Sequence, residues 1–465
     1  MYLVIFAIII SLLQVNSYSE SILIKTLPIV TSALALFYFL IISNGNYLFK
    51  TIKENLMAIF LLLLILVGNV RSNFPDQTIG FTISRTINTV LLFSAVFSAF
   101  HYYKNKYNYS IVDIVAKFII LPYCLYCLIN FLLWAAGISI KESVMTDEVV
   151  NKKAVLLSYF GLNIDRVQFP LSTGLNNYAV ISGAMFTICL VLLFVSNTKK
   201  YKILTIASCL VFLATLLLID SRASIYYPIL ICFTLILWQK SKAYVKNMPY
   251  LTYLIVLGPL FLYLMVPLMM VLPFIESITR NSEELATGNS RFLIWSACLL
   301  EFIEFKPIHL IGFGYFGHFG SGVSASWSSI FSTWTDGDLK TSHNTFFTIL
   351  FDHGYLGLVV YVLVIYNTFK RISRFWNINR EGNVLLFGFF SFNIFAGITE
   401  TLIGFYSPNY FILFFVFLFA EFVGNSPILV TENATSRSKN GKNFKSSTNM
   451  VRNTSNSQLP KLQSY

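Results

Sequence analysis

The chain is dominated by apolar runs such as "IFLLLLILVGNV" (59–70), which recur along most of its length and are interrupted by short polar breaks. A run of about 17 to 25 apolar residues is long enough to cross the hydrocarbon of a bilayer. A backbone that does so must satisfy its own N–H and C=O groups, and a helix satisfies them within a single segment. Of 465 residues, 56% are hydrophobic and only 12% are charged, against about 25% charged in a soluble domain. The fold class implied is all-α: a polytopic integral membrane protein. Reading runs against breaks gives about twelve spans, near 2–16, 26–43, 56–70, 86–101, 113–138, 178–196, 201–219, 222–238, 250–274, 344–366, 383–399 and 408–424. The first, within "MYLVIFAIIISLLQVNSYSE", lacks a basic leading segment and a small-residue cleavage site and reads as a retained helix.

Net charge is +12, a balance that in a soluble chain would suggest nucleic acid. Here the lysines and arginines lie mostly between spans, as an orientation signal requires, so nucleic acid is not expected as a partner. With the N-terminus in the cytoplasm, the short inner loops collect Lys50, Lys53, Lys104, Lys106, Lys199, Lys200, Lys202, Lys240, Lys242, Lys246, Lys370, Arg371, Arg374 and Arg380. Residues 1–424 then form one membrane domain, and 425–465, rich in Asn, Ser and Lys, form a polar cytoplasmic tail of low structural content. Two outer segments are too long to be turns, about 139–177 and a large external loop at about 275–343 before the tenth span. Loops of that length on a rigid scaffold are where function tends to sit.

Five of the six cysteines fall inside apolar runs, and Cys298 alone reads as water-accessible, so no disulfide framework is implied. Cys124 and Cys127 spell C-x-x-C, but within a spanning run they read as core packing rather than redox or metal chemistry. The glycine-rich "GFGYFGHFGSG" (312–322) lacks the G-K-[ST] ending of a phosphate loop and reads as a flexible, aromatic external loop. His309 and His318 come without H-E-x-x-H spacing or an Asp cluster, so no metal is expected.

The charged residues at outer helix ends carry the chemistry. Arg222, in "LLLIDSRASIYYP", either pairs with Asp220 and snorkels to headgroups or acts as an anion clamp. Arg291 opens "SRFLIWSACLLEF", an amphipathic helix with Trp295 one turn on. Interfacial anchoring accounts for the Trp; the arginine fork at a helix start suits a phosphate. His343 sits immediately before the tenth span, where an imidazole can take a proton near neutral pH, and Ser342 or Asn344 can cap the helix. Asp352 and His353 lie farther along that span, His353 about 15 Å from His343, and read as packing or cavity residues. Glu400, in "GITETLIGFYSP" at another outer helix end, reads as an orienter of His343 or a rival base.

"SHNTFFTILFDHGYLGLVVYV" resembles the H-N…G-x-x-G segment of the O-antigen ligase and polymerase superfamily. "GNSRFLIWSACLLEFIEFKPIHLIGFGYFG" is similar to its R-x-x-x-W…P…G-x-G stretch, "DSRASI" to its S-R segment between two spans, and "LSTGLNNYAVISG" more loosely to an earlier span. The resemblance covers roughly 170–424. It implies a membrane glycosyltransferase taking a glycan from polyprenyl pyrophosphate to an acceptor hydroxyl outside the cytoplasm, with Arg222 and Arg291 binding pyrophosphate and His343 as base. Asn344, Trp295 and Glu400 would support them. No cofactor and no metal are implied; the partners are lipid-linked donor and acceptor, membrane lipid and a chain-length regulator. A surface-polysaccharide polymerase in a bacterial inner membrane is the preferred expectation, and a ligase of the same family the nearest rival. A flippase would spread its polar residues through helix midplanes instead. The topology predicts that a reporter active only in the cytoplasm, fused after Arg374, is active; silence there, with an externally active reporter working at the same point, reverses the orientation.

Overall fold

A computed structural model describes residues 1–13, 22–43, 55–74, 78–138, 153–172, 174–196, 199–238, 241–269, 291–328 and 341–425. The tail expected at 425–465 lies outside them, apart from Asn425. The long helices are α1 (Tyr2–Leu13), α2 (Ile22–Ser43), α3 (Leu56–Val70), α4 (Ile79–Tyr107), α5 (Ile111–Ala135) and α6 (Leu175–Phe194). They continue as α7 (Lys202–Ile219), α8 (Ala223–Trp238), α9 (Leu254–Met269), α10 (Arg291–Glu301), α11 (Thr345–Arg374), α12 (Arg380–Thr399) and α13 (Pro408–Gly424). Among the described residues no strand forms; one isolated bridge joins Lys153 and Asp165. Among the described residues eight helices are long and apolar enough to cross a membrane, and four shorter apolar ones, α1, α3, α8 and α13, accompany them. The protein is an all-α, multi-pass membrane protein; eight of the twelve runs read from sequence fall on helices long enough to span, and the other four on shorter ones.

Local chemistry sets several boundaries. Thr78 caps α4 by accepting the Phe81 N–H, and Asn108 ends it in the left-handed conformation. Ser110 and Asp113 form a reciprocal capping box at the start of α5. A π-helical turn over Ala116–Ile120 precedes Pro122, where a regular helix would lack an N–H donor. Of the eight longer helices α6 and α12 are the most enclosed, 78% and 83% buried, while α2 and α7 are 28% and 33% buried and so present most of their surface outward. The shorter α13 is nearly all buried as well, so α6, α12 and α13 form the centre of the bundle.

α11 is two helices joined at Gly354, whose φ of 65° and ψ of −165° suit glycine alone. The break frees carbonyls that the loop after α10 recovers: the Phe313 N–H donates to Phe351 O (2.7 Å) and the Gly314 N–H to Asp352 O (3.0 Å). The Gly317 N–H and the Tyr406 hydroxyl both donate to Asp352 Oδ1 (2.9 and 3.1 Å), and Tyr406 Oη in turn accepts the Phe316 N–H. Arg71 donates to Gly312 O at 3.0 Å, and the Asn73 amide to Phe313 O at 3.0 Å, so the end of α3 closes the same knot. A Cβ on Gly312 would meet the backbone of Asp352–Gly354 at 2.5 Å, which is why this contact takes glycine.

Two expectations are corrected here. The glycine-rich segment is not a flexible loop over 312–317; its main chain is hydrogen-bonded into the break, and Tyr315 is buried. Cys298 is not water-accessible; it is 0% exposed, in the apolar layer where Ile294 and Trp295 of α10 pack with Phe347, Leu350 and Phe351 of α11. The loop placed at 275–343 therefore contains a packed helix. Gly354→Ala should cost about 1–3 kcal/mol in backbone strain, plus the contact its Cβ would make with His309 O at 2.4 Å. A melting temperature in detergent equal to wild type would remove the break from this account.

Candidate active site

The start of α11 and the end of α12 meet at one end of the bundle. Asn344 is the N-cap of α11: its Oδ1 accepts the Phe347 N–H (3.2 Å), and its Nδ2 donates to Ile398 O (2.8 Å) near the end of α12. The Thr345 hydroxyl donates to Glu400 O (2.8 Å) and accepts the Leu402 N–H (3.1 Å). The Thr348 and Thr401 hydroxyls lie 3.0 Å apart. The sequence T-x-x-T after a capping Asn thus places both threonines on one side of the helix, where they fasten the loop that carries Glu400.

His343 precedes that cap with φ of 48°, a left-handed conformation uncommon for residues other than glycine. The turn is held on both sides. The Trp295 indole N–H donates to Ser342 O (2.9 Å), and the Ser342 hydroxyl donates to Asn344 O (3.1 Å). α10 is thereby docked on the turn, and its first residue, Arg291, reaches the loop after α12. Arg291 Nη2 donates to Glu400 Oε1 at 2.6 Å, and His343 Nδ1 lies 3.6 Å from Glu400 Oε2. The three side chains are 22%, 27% and 15% exposed for Arg291, His343 and Glu400, so the cluster is mostly withdrawn from water yet open on one side. Burial opposes ionisation of Glu400, but Arg291 and His343 together outweigh it and hold the carboxyl below its ordinary value of 4.5.

Tyr227 of α8 joins from the side: it lies beside Thr399 and within electrostatic reach of Arg291 and Glu400. Sequence reading passed over it, because an aromatic pair ahead of Pro228 looks like ordinary interfacial packing. Arg222 lies half-buried just before α8, five residues from Tyr227, or about 7 Å along the helix axis. Its neighbour Asp220 accepts the Leu156 N–H (3.0 Å). The structure brings Arg291, Glu400, His343, Asn344 and Trp295 together; Arg222 stands outside the contacts that join them, at the approach to α8. Asp352 and His353 are buried at the helix break, Asp352 accepting from Gly317 and Tyr406 and His353 lying against Gly68. His309 is buried with Nε2 3.3 Å from Glu301 and its ring against Phe302, and His318 is buried beside Trp327. Among the described residues no group of three or more His, Cys, Asp or Glu is arranged to hold a metal ion.

Residues 207–362 match the family model described as O-antigen ligase. The match supports the O-antigen ligase/polymerase superfamily for this chain. No curated protein and no solved structure matches it. The matched stretch runs from α7 into α11 and contains "DSRASI", the α10 motif and "SHNT", with Arg222, Arg291 and His343. It begins after "LSTGLNNYAVISG" and stops before Glu400, so the carboxylate that binds Arg291 comes from outside it.

Because Glu400 titrates lower in the folded chain than when unfolded, its contribution to stability is complete above the unfolded value and is lost as pH falls through the folded one. In melting experiments the gap between wild type and Glu400→Gln should therefore be widest near neutral pH and close as pH drops below about 4.5. A gap independent of pH would mean that the charge of Glu400 contributes nothing.

Proposed function

We propose that the protein is a polymerase of a bacterial surface polysaccharide, an O-antigen or capsule. It transfers the growing glycan from polyprenyl pyrophosphate to a hydroxyl of the next lipid-linked repeat unit. The observation that carries this reading is the contact of a guanidinium, a carboxylate and an imidazole at one end of a bundle of spanning helices. The family match covers two arginines and this histidine. Arg291 and Arg222 would take the negative charge that develops on the departing pyrophosphate, and in a partly dry site that stabilisation is far larger than in water. Nε2 of His343 would remove the proton of the acceptor hydroxyl as its oxygen attacks the anomeric carbon. The lipid portions of donor and acceptor would stay in the bilayer beside the helices. The reading places the protein in the inner, cytoplasmic membrane, with both termini in the cytoplasm and the site on the external face.

A ligase of the same superfamily, moving glycan to lipid A core or to a protein hydroxyl, is the second reading, favoured by the description of the matching family. Purified protein supplied only with lipid pyrophosphate-linked repeats should make longer chains; failure to do so together with transfer to another acceptor assigns it as a ligase. His343→Ala should abolish chain extension in a complementation assay while the protein still accumulates. Arg291→Lys should lower it at least ~10-fold despite the retained charge, because the two-pronged donor geometry is lost. A normal ladder of chain lengths from either variant removes that residue from its role.

A further inference from the structure

Glu400 is shared unequally between two donors. Its Oε1 is 2.6 Å from Arg291 Nη2, a short charge-assisted hydrogen bond, while its Oε2 stops 3.6 Å from His343 Nδ1, just beyond hydrogen-bonding range. The main chain at Glu400 is fixed: its N–H donates to Ala396 O (2.9 Å), its C=O accepts from Thr345, and its neighbour Thr401 is tied to Thr348. The carboxylate can turn about its own side-chain bonds without moving the loop. Arg291 is the first residue of α10, on a long side chain that is 22% exposed. A phosphate group carries more charge than a carboxylate and offers the same planar fork several oxygens.

We propose that binding of a diphosphate ester draws Arg291 off Glu400 and lets the freed carboxylate turn onto Nδ1 of His343, so that the donor itself completes the base. The inference rests on the donor chemistry proposed above and adds a role for Glu400 as a positioning residue. An ionised carboxylate only accepts hydrogen bonds, so its contact with Nδ1 requires the proton there and leaves the Nε2 lone pair free. Nε2 takes the hydroxyl proton of the acceptor, and the acceptor oxygen bonds to the anomeric carbon. The bond from that carbon to the pyrophosphate oxygen breaks, and its electron pair leaves on the pyrophosphate, which Arg291 now holds. The imidazolium formed faces the Glu400 carboxylate until it returns its proton to solvent. Without a donor, Glu400 stays on Arg291 and His343 lacks its orienting partner.

The test is a double-mutant cycle read by calorimetric binding of farnesyl pyrophosphate to the full chain in detergent, alongside chain extension. Glu400→Gln should bind the probe several-fold tighter than wild type, because Arg291 no longer has to be withdrawn, yet extend chains about 100-fold more slowly. His343→Gln should bind it several-fold more weakly, because the released carboxylate has lost the imidazole N–H donor it turns onto. In the Glu400→Gln background the second change should have no further effect on binding. Unaltered binding by His343→Gln, or effects of the two changes that simply add, overturns the exchange. If Glu400→Gln does not accumulate, binding by His343→Gln alone decides the matter. A wild type that extends chains and binds the probe, but gives additive variants, loses only the exchange; a wild type that does not bind the probe overturns the donor reading itself.

Discussion

A carbonyl freed inside an apolar layer has to find a donor, and the break at Gly354 is where this chain meets that requirement in an unusual way. Interrupting α11 exposes the oxygens of Phe351 and Asp352, and N–H groups from Phe313 and Gly314 recover them. The same segment is fixed by Arg71 and Asn73 from the end of α3 and by Tyr406 from the loop before α13. Once it is fixed, the chain between α10 and α11 has a defined anchor, and α10 can lie against the first turns of α11 through Ile294, Trp295 and Cys298. That docking sets Arg291 within reach of Glu400.

The site is built from three helix termini that approach from different directions. α11 begins there, α12 ends there, and α10 begins there. Each supplies one ionisable group, His343, Glu400 and Arg291, and each group sits at or next to a cap rather than in the body of a span. This arrangement avoids the cost of burying charge in hydrocarbon, while the surrounding packing still withdraws the cluster from most water. The threonines at 345, 348 and 401 do the fastening with hydroxyls, which need no counter-ion and so leave the charged groups available.

Much of this was legible in the sequence. Apolar runs located the helices, because a segment buried in hydrocarbon has to be both apolar and helical, although α4 and α11 run well past the ends of their runs. Arg291 and His343 stood out because a rare charged or titratable group next to an apolar run needs a reason. Glu400 was noticed for the same cause, with His343 as its expected neighbour, but not its pairing with Arg291, since 109 residues separate the two and nothing local encodes the encounter. Tyr227 was invisible: tyrosines are common in this chain, and only the packing of α8 on α12 gives this one a role. The glycines of 312–317 were misread because glycine marks both mobility and close approach. Only the positions of the backbone atoms of Arg71 and of Phe351–Gly354 decide between those meanings. Cys298 was misjudged for a related reason, since a helix assigned to an interface has its far side covered here by the start of α11.

The left-handed backbone at residue 343 narrows what that position can hold, independently of any chemistry. Among residues with side chains, asparagine, aspartate and histidine adopt this conformation most readily, and branched or bulky ones do so poorly. Of those three, only histidine offers a neutral nitrogen that gains a proton near physiological pH. Serine, lysine and cysteine, which serve as activated groups elsewhere, are disfavoured there by geometry before their reactivity matters. The shape of the main chain ahead of α11 therefore acts as a filter on which residue can take the base role proposed for His343, and a protein that kept this turn while changing its chemistry would have few side chains to choose from.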